Sequence, residues 1–403
     1  VTNQDSVPDA AVIRQLAESD APSVLALARR LIQKPSRGGI DSYDHVIEIL
    51  EEWLTEHQVP FRRLQDHRAA LVGLAAEVTG AQPGPRYVLD ACIDTAPFGN
   101  VDAWTHAPTS GIVIGDWLYG RGSSDSKTAA AIFAHIAAHM QRMPAAFSGT
   151  LAVLFDADEH TGSFGGAKAY FSGPQSTNDV SGVMIGYPGP EHIVIGARGI
   201  FRARITIFGI SGHSGGRHPG ISAIRKASEI VQTVSEYQFP EACDPTFPHE
   251  PYLTVTGIRG GEHFTVTPDL CTLDLDVRLT PRFDAECAQR LVREILASVD
   301  ERWSGTPTSA YKIETIWPAY RLPDGNRLAS ALIEAARHVG LHVEPKIAWP
   351  ANIGNYLATQ GIPATSGFGL PYQGLHATDE CVRIDMIPKV QATYHHAMLM
   401  LLQ

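Results

Sequence analysis

The sequence has no apolar stretch approaching the ~18–20 residues of a membrane-spanning helix. Its start, VTNQDSVPDA, is polar and has no apolar signal core, so a cytoplasmic location is expected. It also lacks a basic excess: 32 Lys and Arg stand against 43 Asp and Glu, a formal net charge of −11. With no basic run and no aromatic–basic stripe, neither nucleic acid nor a membrane surface is an expected partner. Cysteine is scarce. The five residues, at 92, 243, 271, 287 and 381, are odd in number and lack C-x-x-C spacing, which fits a reducing compartment better than a disulfide framework. What is present is globular: 44% hydrophobic and 19% charged residues over 403 positions, too many for one ordinary core, so two domains are expected. There is no internal repeat and no low-complexity linker.

The first half alternates strand and helix signals. Residues 21–32 and 43–57 read as amphipathic helices, and 86–91 as a short strand. After the glycine turn at Gly120 and Gly122, SDSKTAAAIFAHIAAHMQRM reads as an Ala-rich helix with capping residues at its mouth. GTLAVLFDA and SGVMIGYP are near-continuous apolar runs, the signature of strands buried on both faces. This is βαβ logic, with helices covering a mostly parallel sheet. From about Ala197 the pattern changes. FRARITIFG alternates as a strand, and a helix follows with Ile224, Ala227, Val231 and Val234 on one face. YLTVTGIRGG and CTLDLDVRL are strands, the second with Leu273, Leu275 and Val277 on one side and Asp274, Asp276 and Arg278 on the other. A helix through Ala288, Leu291, Val292, Ile295 and Val299 and the strand SAYKIETIW complete β-α-β-β-α-β, the ferredoxin-like unit. The expected organisation is an α/β domain of residues 1–196 and 318–403 that carries an inserted domain of residues 197–317.

Asp94, Asp125, Glu159, His160 and His376 each fall where a strand signal gives way to a loop. In an open α/β sheet ligands gather at the carboxyl ends of the strands, so these segments can converge. Zinc takes imidazole nitrogen and carboxylate oxygen in a tetrahedral shell, with one position left for water at a catalytic site. Asp125, His160 and His376 supply such a shell, and Glu159 is then free to act as general base. Singly, an Asp near a helix start is usually a cap and a His usually a surface or hydrogen-bonded core residue. The case rests on all of them falling at strand exits.

The ordered motifs CIDTAPFGN, Trp104 with GRGSSDSK, DADEHTGS, ISGHSGGRHPG, VTPDLCTLDLDVR and GLHATDE resemble the co-catalytic zinc exopeptidases, a family that includes aminoacylase, succinyl-diaminopimelate desuccinylase, acetylornithine deacetylase and glutamate carboxypeptidase. The likeness runs nearly end to end. It implies a zinc-exopeptidase-like, mostly parallel sheet flanked by helices, with the inserted unit serving as lid and dimerisation domain. It implies that Asp125 bridges the metals, that Glu159 is the catalytic base and that His376 is the last ligand. Asp94 matches the carboxylate that orients the first ligand. Three positions depart from the family: its first metal histidine falls on Cys92, its second glutamate on His160, and its later acidic ligand on Tyr187. One metal position therefore loses its usual donors, while the other keeps Asp125, His160 and His376. A Cys thiolate is a good zinc ligand and a Tyr, with an unperturbed pKa near ~10, a poor one. The plain alternative is that Cys92 and Tyr187 fill the vacated space.

On the substrate side, His213 matches a lid histidine offered across the dimer to the oxyanion. Arg278 resembles the arginine that grips a substrate carboxylate, with a salt bridge to Asp276 or Asp274 as its plain alternative. Asn352 and Gly354, in ANIGN, resemble a substrate loop, and Tyr187 would border the substrate. The expected function is metal-dependent hydrolysis of an amide or peptide bond in a small carboxylate-bearing substrate, with one zinc per chain and with Cys92 as a further candidate ligand. A homodimer through the lids is expected. The alternatives are a non-hydrolytic amide-, lactam-forming or acyl-transfer enzyme on the same fold, and a catalytically inactive binding homologue.

Overall fold

A computed structural model describes residues 8–173, 179–239 and 244–403. Cys243 lies outside them. Two compact units separate by their internal contacts: Val1–Ile195 with Leu322–Lys346 and Gly361–Gln403, and Gly196–Arg321 with Ile347–Gln360. The sequence pattern alone puts the last of these segments in the first unit.

The first unit is built on a twisted sheet in the order Phe61–Gln65, Leu71–Thr79, Ser148–Asp156, Gln82–Cys92, Val180–Ile185, Ala364–Ser366 and His192–Ala197. The four strands from Ser148–Asp156 to Ala364–Ser366 run parallel to one another. The run GTLAVLFDA forms an interior strand whose last six residues are all buried, which is why its apolar side chains do not alternate. The helix Thr128–Arg142 is buried nearly all round. Its many alanines let it pack closely without loss of helix propensity. The first helix, Ala10–Ile32, starts eleven residues before the expected span and runs through Pro22. Asp9 caps it by accepting from the Val12 N–H, and Ile13 and Ala17 extend the buried stripe of Val24, Leu27 and Leu31.

The second unit carries the expected β-α-β-β-α-β order. Its antiparallel sheet runs Tyr252–Gly260, Leu270–Leu279, Gly199–Phe208 and Ala310–Trp317. Leu273, Leu275 and Val277 pack with Phe201, Ala203 and Ile205 beneath the helices Ala223–Glu236 and Ala285–Arg302. On the first of these helices the buried face is Ala223, Ala227, Ile230 and Val234, and Ile224 is exposed. No helix among the described residues is long and apolar enough to cross a membrane.

Candidate metal centre and substrate-side residues

The parallel strands of the first unit deliver the chemistry at their carboxyl ends. Cys92 ends one strand, Glu159 and His160 follow the end of the next at Asp156, and Tyr187 follows Ile185. Asp125 sits in the irregular segment Ser123–Lys127 ahead of the long helix, after Gly122 at φ 88°. Positive φ favours glycine, because a Cβ there crowds the backbone. At Gly122 a Cβ would in addition come within 2.7 Å of the Thr95 side chain.

Asp125 divides its carboxylate. Oδ1 accepts from the Cys92 thiol at 3.4 Å; Oδ2 lies 2.8 Å from His376 Nε2 and 3.4 Å from His160 Nε2. Cys92 Sγ also lies 3.1 Å from Ser126 Oγ. Asp94 accepts from the backbone N–H groups of Glu159 and His160 and stands 3.4 Å from His160 Nδ1. It therefore braces the Glu159–His160 turn, whereas the resemblance implies a carboxylate orienting position 92. Glu159 Oε2 is 3.4 Å from the same imidazole. Cys92 and Asp125 are buried and the His160 side chain is 5% exposed, whereas the His376 side chain is 48% exposed.

The electrostatics follow from crowding carboxylates out of water. Burial works against a charged His160 ring, yet Asp125 and Asp94 hold its pKa up to about 11. Burial would raise Asp125, but the two imidazoles keep it below the usual carboxylate range. Burial, reinforced by Asp125 and Asp94 against the pull of His160, pushes Glu159 up to about 7. Burial and the charges of Asp125, Glu159 and Cys92 push the Tyr187 phenol well above its ordinary value, so it stays neutral. Burial likewise raises the Cys92 thiol, with Asp125 adding to it.

A metal ion fits these residues. Both His160 ring nitrogens are buried without a hydrogen-bond partner, although carboxylate oxygens surround them. Donor atoms of Cys92, Asp125 and His160 lie within 4.8 Å of one another. Buried nitrogens seldom go unsatisfied, and a set of sulfur, oxygen and nitrogen donors suits zinc.

The sequence gives no sign of the group that anchors Asp125. Glu380, fully buried, accepts from the backbone N–H groups of Gly122 and Ser124, the Ser124 hydroxyl and, at 3.4 Å, the Asp125 N–H. Its other oxygen pairs with Arg121 Nη1 at 2.5 Å, and Arg121 Nη2 donates to the carbonyls of Pro97 and His376. One ion pair thus ties the Asp125 segment to the His376 loop. Lys127, also buried, caps the end of the first helix by donating to the carbonyls of Leu31 and Lys34.

The other expected residues lie in the second unit. His213 is exposed on a two-residue strand, and its Nδ1 accepts from the Gly215 N–H. With Nδ1 accepting, Nε2 is the nitrogen left to donate. Arg278 pairs through Nε with Asp276 Oδ1 at 2.8 Å. Asn352 caps the short helix Ile353–Thr359 by accepting from the Gly354 N–H, and its own N–H donates to Asn355 Oδ1. At Gly354 a Cβ would lie 2.3 Å from the Tyr320 hydroxyl. Asn352 thus serves as a helix cap and Gly354 as a close-packed position.

Acid and imidazole side chains at the exits of a parallel sheet, carried with an inserted ferredoxin-like unit, define a metallopeptidase or amidohydrolase type of enzyme. Residues 195–304 match the family model described as a peptidase dimerisation domain. A succinyl-diaminopimelate desuccinylase of Rhodospirillum centenum is 25% identical over 390 residues, covering 93% of this chain and 96% of that protein. A tripeptidase from Staphylococcus aureus superposes with a TM-score of 0.76 at 18% identity, over 94% of this chain and 98% of that one. For a metallo-carboxypeptidase from Sulfolobus solfataricus the values are 0.74 and 17%, over 94% and 98%. Together these likenesses support the zinc exopeptidase family.

Proposed function

We propose that this protein hydrolyses an amide or peptide bond in a small substrate bearing a carboxylate, and that it uses one metal ion rather than two. The observation that carries the reading is Glu159, a carboxyl held at about 7 beside the Asp125–His160–His376 cluster. A base tuned near neutral pH can take a proton and give it back within one turnover. Asp125 and His160, with His376 at the exposed edge, would hold the ion, which supplies Lewis acidity toward water and the scissile carbonyl. Glu159 removes the proton of the attacking water and returns it to the departing nitrogen. His213 offers its Nε2 proton to the oxyanion, an interaction generally worth about 2.7–4 kcal/mol of barrier. Arg278, oriented by Asp276, takes the substrate carboxylate. The family model over residues 195–304 supports a homodimer through the inserted unit. The cysteines at 92, 271, 287 and 381 are free, which fits the cytoplasm.

The test is turnover of a panel of acylated amino acids and dipeptides by the native protein and by Glu159→Gln. Loss of at least a hundredfold in kcat with metal content unchanged is expected. Intact turnover by the variant overturns the role given to Glu159. A second reading, amide formation or acyl transfer on the same fold, is favoured by the thiol and neutral phenol at positions 92 and 187. It would show as product from an amine and an activated acyl donor with no net hydrolysis.

A further inference from the structure

We propose that Cys92 is itself a metal ligand, so that the ion is held by thiolate sulfur, carboxylate oxygen and imidazole nitrogen from Cys92, Asp125 and His160. The inference rests on the metal-dependent reading above and names a donor that reading leaves open.

Three observations meet at this point. A tetrahedral zinc with bonds of about 2.3 Å to sulfur and 2.0–2.1 Å to nitrogen and oxygen places its donors roughly 3.3–3.6 Å apart. Cys92 Sγ lies 3.4 Å from Asp125 Oδ1, and His160 Nε2 lies 3.4 Å from Asp125 Oδ2. The two contacts run to different oxygens of Asp125, which stands between the sulfur and the imidazole, and one donor atom from each of the three residues lies within 4.8 Å of the others, close enough for a small movement to bring them onto one ion. The second observation is His160, a 5% exposed side chain with both nitrogens unpartnered, facing the same carboxylate from the other side. The third is rigidity. Cys92 closes a central strand whose pairing with Ser148–Asp156 persists to its last residue, Cys92 opposite Asp156. The sulfur is therefore presented from sheet and not from a loop, the placement that keeps a ligand shell geometrically defined.

The thiol would bind as thiolate, its proton passing to solvent as the metal enters. A sulfur donor also changes which ions compete. Thiolate favours zinc and cobalt over magnesium, calcium and manganese, which prefer oxygen. His376, half exposed and bonded to the far oxygen of Asp125, then occupies the open side of the centre, where solvent reaches it.

The experiment is reconstitution of chelator-stripped full-length protein with cobalt(II), read by absorption and by titration. The native protein and Glu159→Gln are expected to show an intense near-ultraviolet thiolate-to-cobalt charge-transfer band. Cys92→Ser is expected to lose that band and to bind cobalt at least tenfold more weakly. Cobalt bound by native protein without the band overturns the ligand proposal and leaves the hydrolase reading standing. Retention of both band and affinity in Cys92→Ser overturns it in the same way. A strong band in a protein that turns over no acylated amino acid or dipeptide leaves the ligand proposal standing and overturns the hydrolase reading. No cobalt binding at all overturns both. Because the band is read on the native chain, the proposal stays testable even if Cys92→Ser fails to fold.

Discussion

Replacing Glu380 by Gln changes one atom and should nonetheless be among the most damaging substitutions in the first unit. Every partner recorded for the carboxylate is a donor: Arg121 Nη1, the N–H groups of Gly122, Ser124 and Asp125, and the Ser124 hydroxyl. The amide keeps one accepting oxygen, but its NH2 group must then face a donor, and the buried Arg121 loses its counter-charge. Removing one partner of a buried ion pair generally destabilises by about 3–5 kcal/mol, a large part of a total near 5–15 kcal/mol. The expected result in urea denaturation is therefore a loss of about 3–5 kcal/mol, accompanied by weaker cobalt(II) binding because the Asp125 segment loses its anchor. Combining Glu380→Gln with Arg121→Met should be less damaging than the sum of the two, since the double variant leaves no uncompensated buried charge. A single variant within about 1 kcal/mol of native, with unchanged metal affinity, would refute the anchoring argument.

Glu159 must be ionised to act as base, and burial holds its pKa at about 7. A cation bound beside it favours the carboxylate and draws the pKa below that value, so kcat/KM should fall about tenfold per pH unit on the acid side of a break below about 7; a profile flat down to about pH 4 would remove Glu159 from that role. Stability should depend on pH through His135 and His395, which burial depresses to about 4 and about 3. The unfolded chain takes up these protons near pH ~6.5, so their contribution is intact above that pH and is lost as the pH falls toward the folded values. By about pH 5 the loss is about 2 kcal/mol per group. Denaturation of native protein and His395→Leu at about pH 7 and about pH 5 checks this, and an unaltered pH dependence in the variant counts against it.

The strands were legible in the sequence because their apolar runs are long and bounded by turn residues, and the inserted unit was legible from the order of its six elements. The cluster could be read because Asp94, Asp125, Glu159, His160 and His376 follow strand signals, and topology brings such distant segments together, while Cys92 was pointed to by the family resemblance alone. Glu380 gives no sign of its anchoring role in the sequence although it sits four residues after His376. Glutamate is rarely fully buried unless paired, and its partners lie some 255–259 positions away along the chain. The extra turns of the first helix were hidden by Pro22, a residue that usually ends helices. The helix cap at Asn352 was not separable from a substrate turn in ANIGN, because a helix cap and a polar recognition turn draw on the same residue types.

The charge of the centre bears on how many ions it can hold. Among the proposed ligands, a thiolate at position 92 and the Asp125 carboxylate together balance one divalent cation, while Asp94 is engaged by the Glu159 and His160 N–H groups and Glu159 is kept for the proton. An acid at position 187 would add a further negative charge, but the phenol there is held neutral by burial and by Asp125, Glu159 and Cys92. A second ion would thus lack an anionic ligand of its own at position 187, and burying a poorly paired charge is expensive. On that argument Tyr187→Glu should raise the metal bound by zinc-saturated protein from about one to about two ions per chain, measured by elemental mass spectrometry after desalting. Tyr187→Phe, which removes the hydroxyl and adds no charge, should leave it at about one. If Tyr187→Glu also holds a single ion, charge at position 187 is not what limits the site, and the space closed by Cys92 and Ser126 at 3.1 Å becomes the physical reason for one metal.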